Sequence, residues 1–212
     1  MIAAGKWKII LDALFALAGI VVFAFFIEAP FPVVLVAVAG LAISGLLILK
    51  QISTNQEVNL LFGLRFFRST WIYLIIGIQL GVLVGMFYRW HLSVPVIPRT
   101  LTIFALVAAA IGISEELFFR GYLQQMLYKV NSWVAIVFAS MSHTAYKAII
   151  FLSPFALHKV DVWFLIIWTF AVGLFFGWIT KVSKSVLPAV CAHAFFDIWV
   201  YGQLSEAPWW VW

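Results

Sequence analysis

Seven mostly apolar stretches, roughly 9–28, 32–50, 71–88, 101–128, 132–153, 162–180 and 185–203, occupy most of this chain of 212 residues. A helix rises ~1.5 Å per residue, so about 20 such residues cross a hydrocarbon core of ~30 Å. Lipid offers no partners for backbone N–H and C=O groups, so apolar runs of that length fold as helices. The pattern predicts an all-α, polytopic membrane helix bundle of about seven transmembrane helices. Composition agrees: 66% of the residues are apolar and 10% charged, more apolar than a soluble domain of this size. The first run follows Lys6 and Lys8 as a signal peptide would. It is too long for one and lacks a small-x-small cleavage site, so it is read as an anchor. The fourth is too long for a perpendicular span and is expected to tilt or to extend beyond the bilayer.

Basic residues set the expected sidedness. With the N-terminus cytoplasmic and the C-terminus outside, Lys6, Lys8, Lys50, Arg65, Arg68, Lys129, Lys181 and Lys184 face the cytoplasm. Arg89, Arg99 and Lys159 fall in the opposite loops. The terminal "PWWVW" then lies outside, at headgroup level, and the expected location is the cell (plasma) membrane. The segment "TNQEVNLLFGLRFFRST", 54–70, is either an interfacial helix or a plain loop. No repeat or long linker interrupts the chain, so residues 1–212 are read as a single integral membrane domain. The net charge of +5 is too scattered for nucleic-acid binding. The single Cys191 excludes an intrachain disulfide and a cysteine metal cluster.

Against this background, a few polar residues stand out, because charged groups inside a membrane are costly and mark working sites. The fourth run carries Ser114, Glu115, Glu116 and Arg120. The fifth carries Ser142, His143, Thr144 and Lys147, and the seventh His193 and Asp197. Glu116 and Arg120 are four apart and share a helical face, as do His193 and Asp197; Glu115 points about 100° from its neighbour. Measured from the cytoplasmic helix ends at ~1.5 Å per residue, Glu115 lies about 21 Å deep, His143 about 18 Å, His193 about 14 Å and Asp197 about 20 Å. Three helices thus bring polar groups to one level, which predicts a catalytic cavity inside the bundle. Lys147 is expected to snorkel or to pair with Asp161, and His91 and His158 to be solvated in outer loops.

Such a set suits water activation. Arg120 braces Glu116 as a structural pair, leaving Glu115 as general base with His143 sharing the attacking water. His193, held by Asp197, donates to the oxyanion of a tetrahedral intermediate. The reaction class is amide hydrolysis. There is no serine elbow and no His-Glu-x-x-His. No cofactor is expected, though Glu115, His143, His193 and Asp197 also form a possible ligand set for a catalytic zinc.

"EELFFR" fits Glu-Glu-x-x-x-Arg and "HAFFD" fits His-x-x-x-Asn/Asp, with a histidine on a helix between them. In this the chain resembles the CPBP (Abi) family of intramembrane endopeptidases, which includes CAAX prenyl proteases and bacteriocin-processing enzymes. The resemblance covers about 100–203. It implies a glutamic-type protease, often labelled a metalloprotease, in which Glu115 and His143 activate water and His193 and Asp197 stabilise the oxyanion. Glu116 and Arg120 complete the first motif. The implied partners are the bilayer and a protein or peptide substrate, prenylated or with a hydrophobic C-terminal segment. Ala139 stands where the family usually has Phe, with Phe138 one position earlier. Two further readings remain open: a non-catalytic scaffold or immunity protein of the same fold, and a proton-coupled carrier. The confinement of the polar residues to the second half counts against the carrier.

Overall fold

The computed structural model describes residues 2–52, 58–59, 62–66, 68–157 and 159–203, with side chains from Trp7 onward. Among them the chain is all-helical. The helices are α1 (Ile2–Phe26), α2 (Leu35–Gln51), α3 (Thr70–His91), α4, α5 (Ser132–Leu152), α6 (Val162–Ser183) and α7 (Leu187–Tyr201). Helix α4 runs through 103–128 as three joined stretches: α-helical Ile103–Glu116, π-helical Leu117–Leu123 and α-helical Gln124–Tyr128. The seven apolar runs become these seven helices. Four stretches, Trp7–Phe26, Thr70–His91, Ser132–Leu152 and Val162–Ser183, are long and apolar enough to cross a membrane, and Leu35–Gln51 and Leu187–Tyr201 are shorter apolar helices.

Local chemistry sets several helix ends. Asn131 caps α5, its side chain accepting from the N–H groups of Trp133 and Val134, and Asp161 caps α6 by accepting from Phe164. Helix α6 stops at Lys184, which is left-handed (φ 56), and Pro188 opens α7. Arg89, expected in an outer loop, instead lies buried in the last turn of α3. Its guanidinium donates to the carbonyls of Pro95 and Val200 and to the side chain of Gln203, so it satisfies the open end of α7. The reason is energetic: a buried guanidinium finds acceptors where a helix end leaves carbonyls free. Of the 54–70 segment, part lies outside the described residues. Its described end turns at Gly63 (φ 62), whose carbonyl accepts from Val186 N–H, and so docks on the bundle. The "PWWVW" terminus and His158 also lie outside the described residues.

Small residues let the helices close on one another. A Cβ on Gly81 of α3 would overlap the carbonyl oxygen of Ala192 on α7, so these two backbones meet directly. Ser44 of α2 donates to the carbonyl of Ala16 on α1 across a similar close approach. Alanines of α1 pack with Phe119, Tyr122 and Leu123 of α4 and with Tyr146 and Ile150 of α5. Large apolar side chains such as Ile103 (81% exposed) and Trp163 (75%) point outward. A contiguous apolar exterior of that kind fits lipid rather than water.

Candidate active site

The acidic doublet ends the α-helical part of α4, and the wider π turn that follows carries Arg120. π segments inside helices occur mostly at functional sites. Because adjacent helical residues diverge by about 100°, the two carboxylates face different helices. Glu115 turns to α5, where Nε2 of His143 lies 3.1 Å from its Oε2 and Nζ of Lys147 lies 2.6 Å from its Oε1. Glu116 turns to α7, where Nδ1 of His193 lies 2.9 Å from its Oε1. The same Oε1 accepts from Arg120 Nη1 at 2.9 Å. All of these side chains are buried.

Arg120 links the two halves, since its Nη1 also lies 2.6 Å from Nδ1 of His143. A guanidinium only donates, so Nδ1 of His143 accepts and Nε2 carries the ring proton, aimed at Glu115. In His193 the opposite holds: Nδ1 donates to the Glu116 carboxylate, and Nε2 is turned inward, 3.8 Å from Glu115 Oε2 and 3.7 Å from Asp197 Oδ2. From the sequence alone, Asp197 is expected to hold His193. The structure places Glu116 there, because at 3.7 Å Asp197 is beyond hydrogen-bond length. Neither oxygen of Asp197 has a hydrogen-bond partner among the described residues, although the side chain is buried.

A cavity of about 270 Å³ opens onto this network. Arg120, His143, Lys147, His193 and Asp197 form its polar part, and aromatic and aliphatic side chains such as Phe87, Phe164, Trp168 and Phe176 form its walls. Of the polar groups named from the sequence, Arg120, His143, Lys147, His193 and Asp197 line this apolar-walled cavity; Glu115 and Glu116 are not part of its lining but are joined to it through His143, Lys147 and His193.

Residues 97–199 match the family model of type II CAAX prenyl endopeptidase Rce1-like proteins. Over these residues the chain is similar to the Rce1-like family. No curated protein and no solved structure matches the chain. The Rce1-like stretch begins just before α4, ends within α7 and contains every polar group of the network; α1 to α3 precede it. The family is one of CAAX proteases, which act on protein or peptide substrates in membranes.

Within the Rce1-like domain, His143 stacks on an aromatic ring despite Ala139: Phe119 of α4 lies 4.6 Å away with an interplanar angle of 21°. Ser114, Ser140 and Thr144 hydroxyls donate back to carbonyls of their own helices, so they are not placed as nucleophiles. His91, expected in an outer loop, is instead the last residue of α3; it is exposed, with its ring stacked on Phe164 at 3.5 Å. Lys147 neither snorkels nor meets Asp161, which is occupied as the α6 cap. Its spacing from His143 was the signal: four residues apart, both sit on one face of α5, so whatever His143 meets, Lys147 meets too. Among the described residues, no group of three or more His, Cys, Asp or Glu side chains is arranged to hold a metal ion. The carboxylate a zinc would need is instead gripped by an ammonium and a ring N–H.

Proposed function

We propose that this protein is a glutamic-type intramembrane endopeptidase, cutting a peptide bond near the terminus of a membrane-associated protein. The observation that supports it most is the placement of Glu115 Oε2, 3.1 Å from His143 and 3.8 Å from His193, beside an apolar cavity. In this reading the scissile carbonyl enters that space with a water. The water oxygen bonds to the carbonyl carbon, its proton passes to Oε2 of Glu115, and the carbonyl π electrons move onto oxygen. His143, locked as the Nε2–H tautomer by Arg120, holds Glu115 and the water in line. With its Nε2 protonated, His193 donates to the oxyanion, and Glu116 keeps the ring turned for that task. As the intermediate collapses, the C–N bond breaks and Glu115 returns the proton to the leaving amine. Asp197, 3.7 Å from His193, repels the oxyanion while ionised and can donate to it only after taking up a proton.

The apolar walls suit a substrate with a prenyl group or a hydrophobic C-terminal segment. The whole chain, 1–212, acts as one domain in the cell membrane, N-terminus cytoplasmic and C-terminus outside, as the basic residues dictate. The test compares wild type with Glu115→Gln and His143→Ala in vesicles, using a farnesylated peptide and proteomics of protein termini. Wild type cleaves, and both folded variants lose at least about 10³-fold in rate. Undiminished cleavage by either variant overturns the reading. Exhaustive chelation is expected to change the rate by less than about twofold; loss reversed by added zinc would transfer the chemistry to a metal.

A further inference from the structure

One helix grips both oxygens of a single carboxylate. His143 and Lys147, one turn apart on α5, meet Oε2 and Oε1 of Glu115 at 3.1 and 2.6 Å. We propose that Lys147 is the positioning residue of Glu115: its ammonium occupies Oε1, so the carboxylate stays ionised and presents Oε2 alone to the reacting water. This rests on the reading of Glu115 as the base.

Three observations carry the inference. First, Lys147 is 6% exposed and lines the cavity, so its charge is spent inside the site rather than in water or headgroups. A lysine buried at that depth needs a partner, and its ion-pair partner is Glu115. Second, the mechanical brace of α4 is already supplied by Glu116 and Arg120, which pair on the same helix. A second cation aimed at Glu115 adds control of that carboxylate. Third, the charges around Glu115 need it. Glu116 and Arg120 come from α4, His143, Tyr146 and Lys147 from α5, and His193, Asp197 and Tyr201 from α7. Three carboxylates face two permanent cations, and Arg120 is committed to Glu116. Without Lys147, Glu115 would stand between two anions in a low-dielectric site, where a carboxyl takes up a proton and can no longer accept one from water. The nearby Tyr146 ring, 5.6 Å from Nζ, adds a weak further attraction for the ammonium.

The test uses the full-length protein in lipid nanodiscs, as wild type, Lys147→Met and Lys147→Arg. Carboxyl-labelled glutamate is followed by infrared titration, with Glu115→Gln assigning the band, alongside the pH profile of kcat/KM. In Lys147→Met, the protonated Glu115 band and the acid limb of the profile both move up by at least about one pH unit. At pH 7, kcat falls about tenfold or more while KM stays within about threefold, and Lys147→Arg recovers most of the loss. A merely structural lysine would move neither titration. An unchanged Glu115 titration in Lys147→Met overturns the proposal. If no form of the protein cleaves, the protease reading fails, yet the infrared titration still decides whether Lys147 governs Glu115.

Discussion

Nδ1 of His193 lies 2.9 Å from Oε1 of Glu116 on another helix, whereas Asp197, one turn along the same helix, stands 3.7 Å from Nε2. The two carboxylates therefore differ in what they hold. Glu116 joins His193 to Arg120, so Glu116→Gln strands a buried guanidinium and is expected to cost about 3–5 kcal/mol. Asp197 is buried with no hydrogen-bond partner among the described residues, so Asp197→Asn removes a desolvated charge without changing shape. It is expected to stabilise the protein by about 1–3 kcal/mol. An amide also donates at any pH, so cleavage in Asp197→Asn stays within about threefold of wild type or rises. Melting curves in detergent and one cleavage assay check both substitutions. Equal destabilisation by the two would mean that Asp197 has the partner its geometry denies it.

Arg120 tests whether a shared donor sets the histidine tautomer. Its Nη1 serves Glu116 at 2.9 Å and His143 at 2.6 Å, two acceptors on different helices. Lysine keeps the charge but not the planar fork, and reaches only one of them. Arg120→Lys is therefore expected to lose about 10²-fold in cleavage while losing only about 1–3 kcal/mol in stability. Imidazole ¹⁵N spectra should show His143 as the single Nε2–H form in wild type and as a mixture in the variant. A variant that keeps the single form with full activity would mean that Arg120 does not set the tautomer.

The sequence reached the fold through length and hydropathy alone, because lipid forces each apolar run into a helix. Depth along the helices pointed to a meeting of polar groups from α4, α5 and α7, because residues at one level of the membrane on neighbouring helices have few other partners. What it missed is lateral. Helical spacing says that His193 and Asp197 share a face, but not that Glu116 reaches across from α4 to take the ring first. Likewise the sequence leads one to expect Lys147 to snorkel or to pair with Asp161, although its spacing from His143 puts it on the site's face. Arg89 follows an apolar run and so is expected in a loop; the open carbonyls of α7 that bury it come from 110 and 111 residues further along. Each miss concerns which partner wins between helices, which periodicity within one helix does not encode.

Gly112 sets how closely α4 approaches α7 at the site. A Cβ there would overlap Oδ2 of Asp197 and come within 2.9 Å of Cδ2 of His193. Gly45 on α2 has open space at the same position, with nothing within 4 Å. Replacing a helical glycine by alanine stiffens the chain and by itself stabilises a helix by about 0.5–1 kcal/mol. Gly45→Ala is therefore expected to be neutral or slightly stabilising, with unchanged cleavage. Gly112→Ala gains the same helical term but must displace His193 and Asp197, costing about 1–3 kcal/mol of packing. Because a shift of about 1 Å in a catalytic group can cost on the order of 10²-fold in rate, kcat should fall far more than stability does. Parallel melts and kinetics on the two variants check this, and a fully active Gly112→Ala would show that the imidazole of His193 tolerates displacement and so does not contact the reacting atoms.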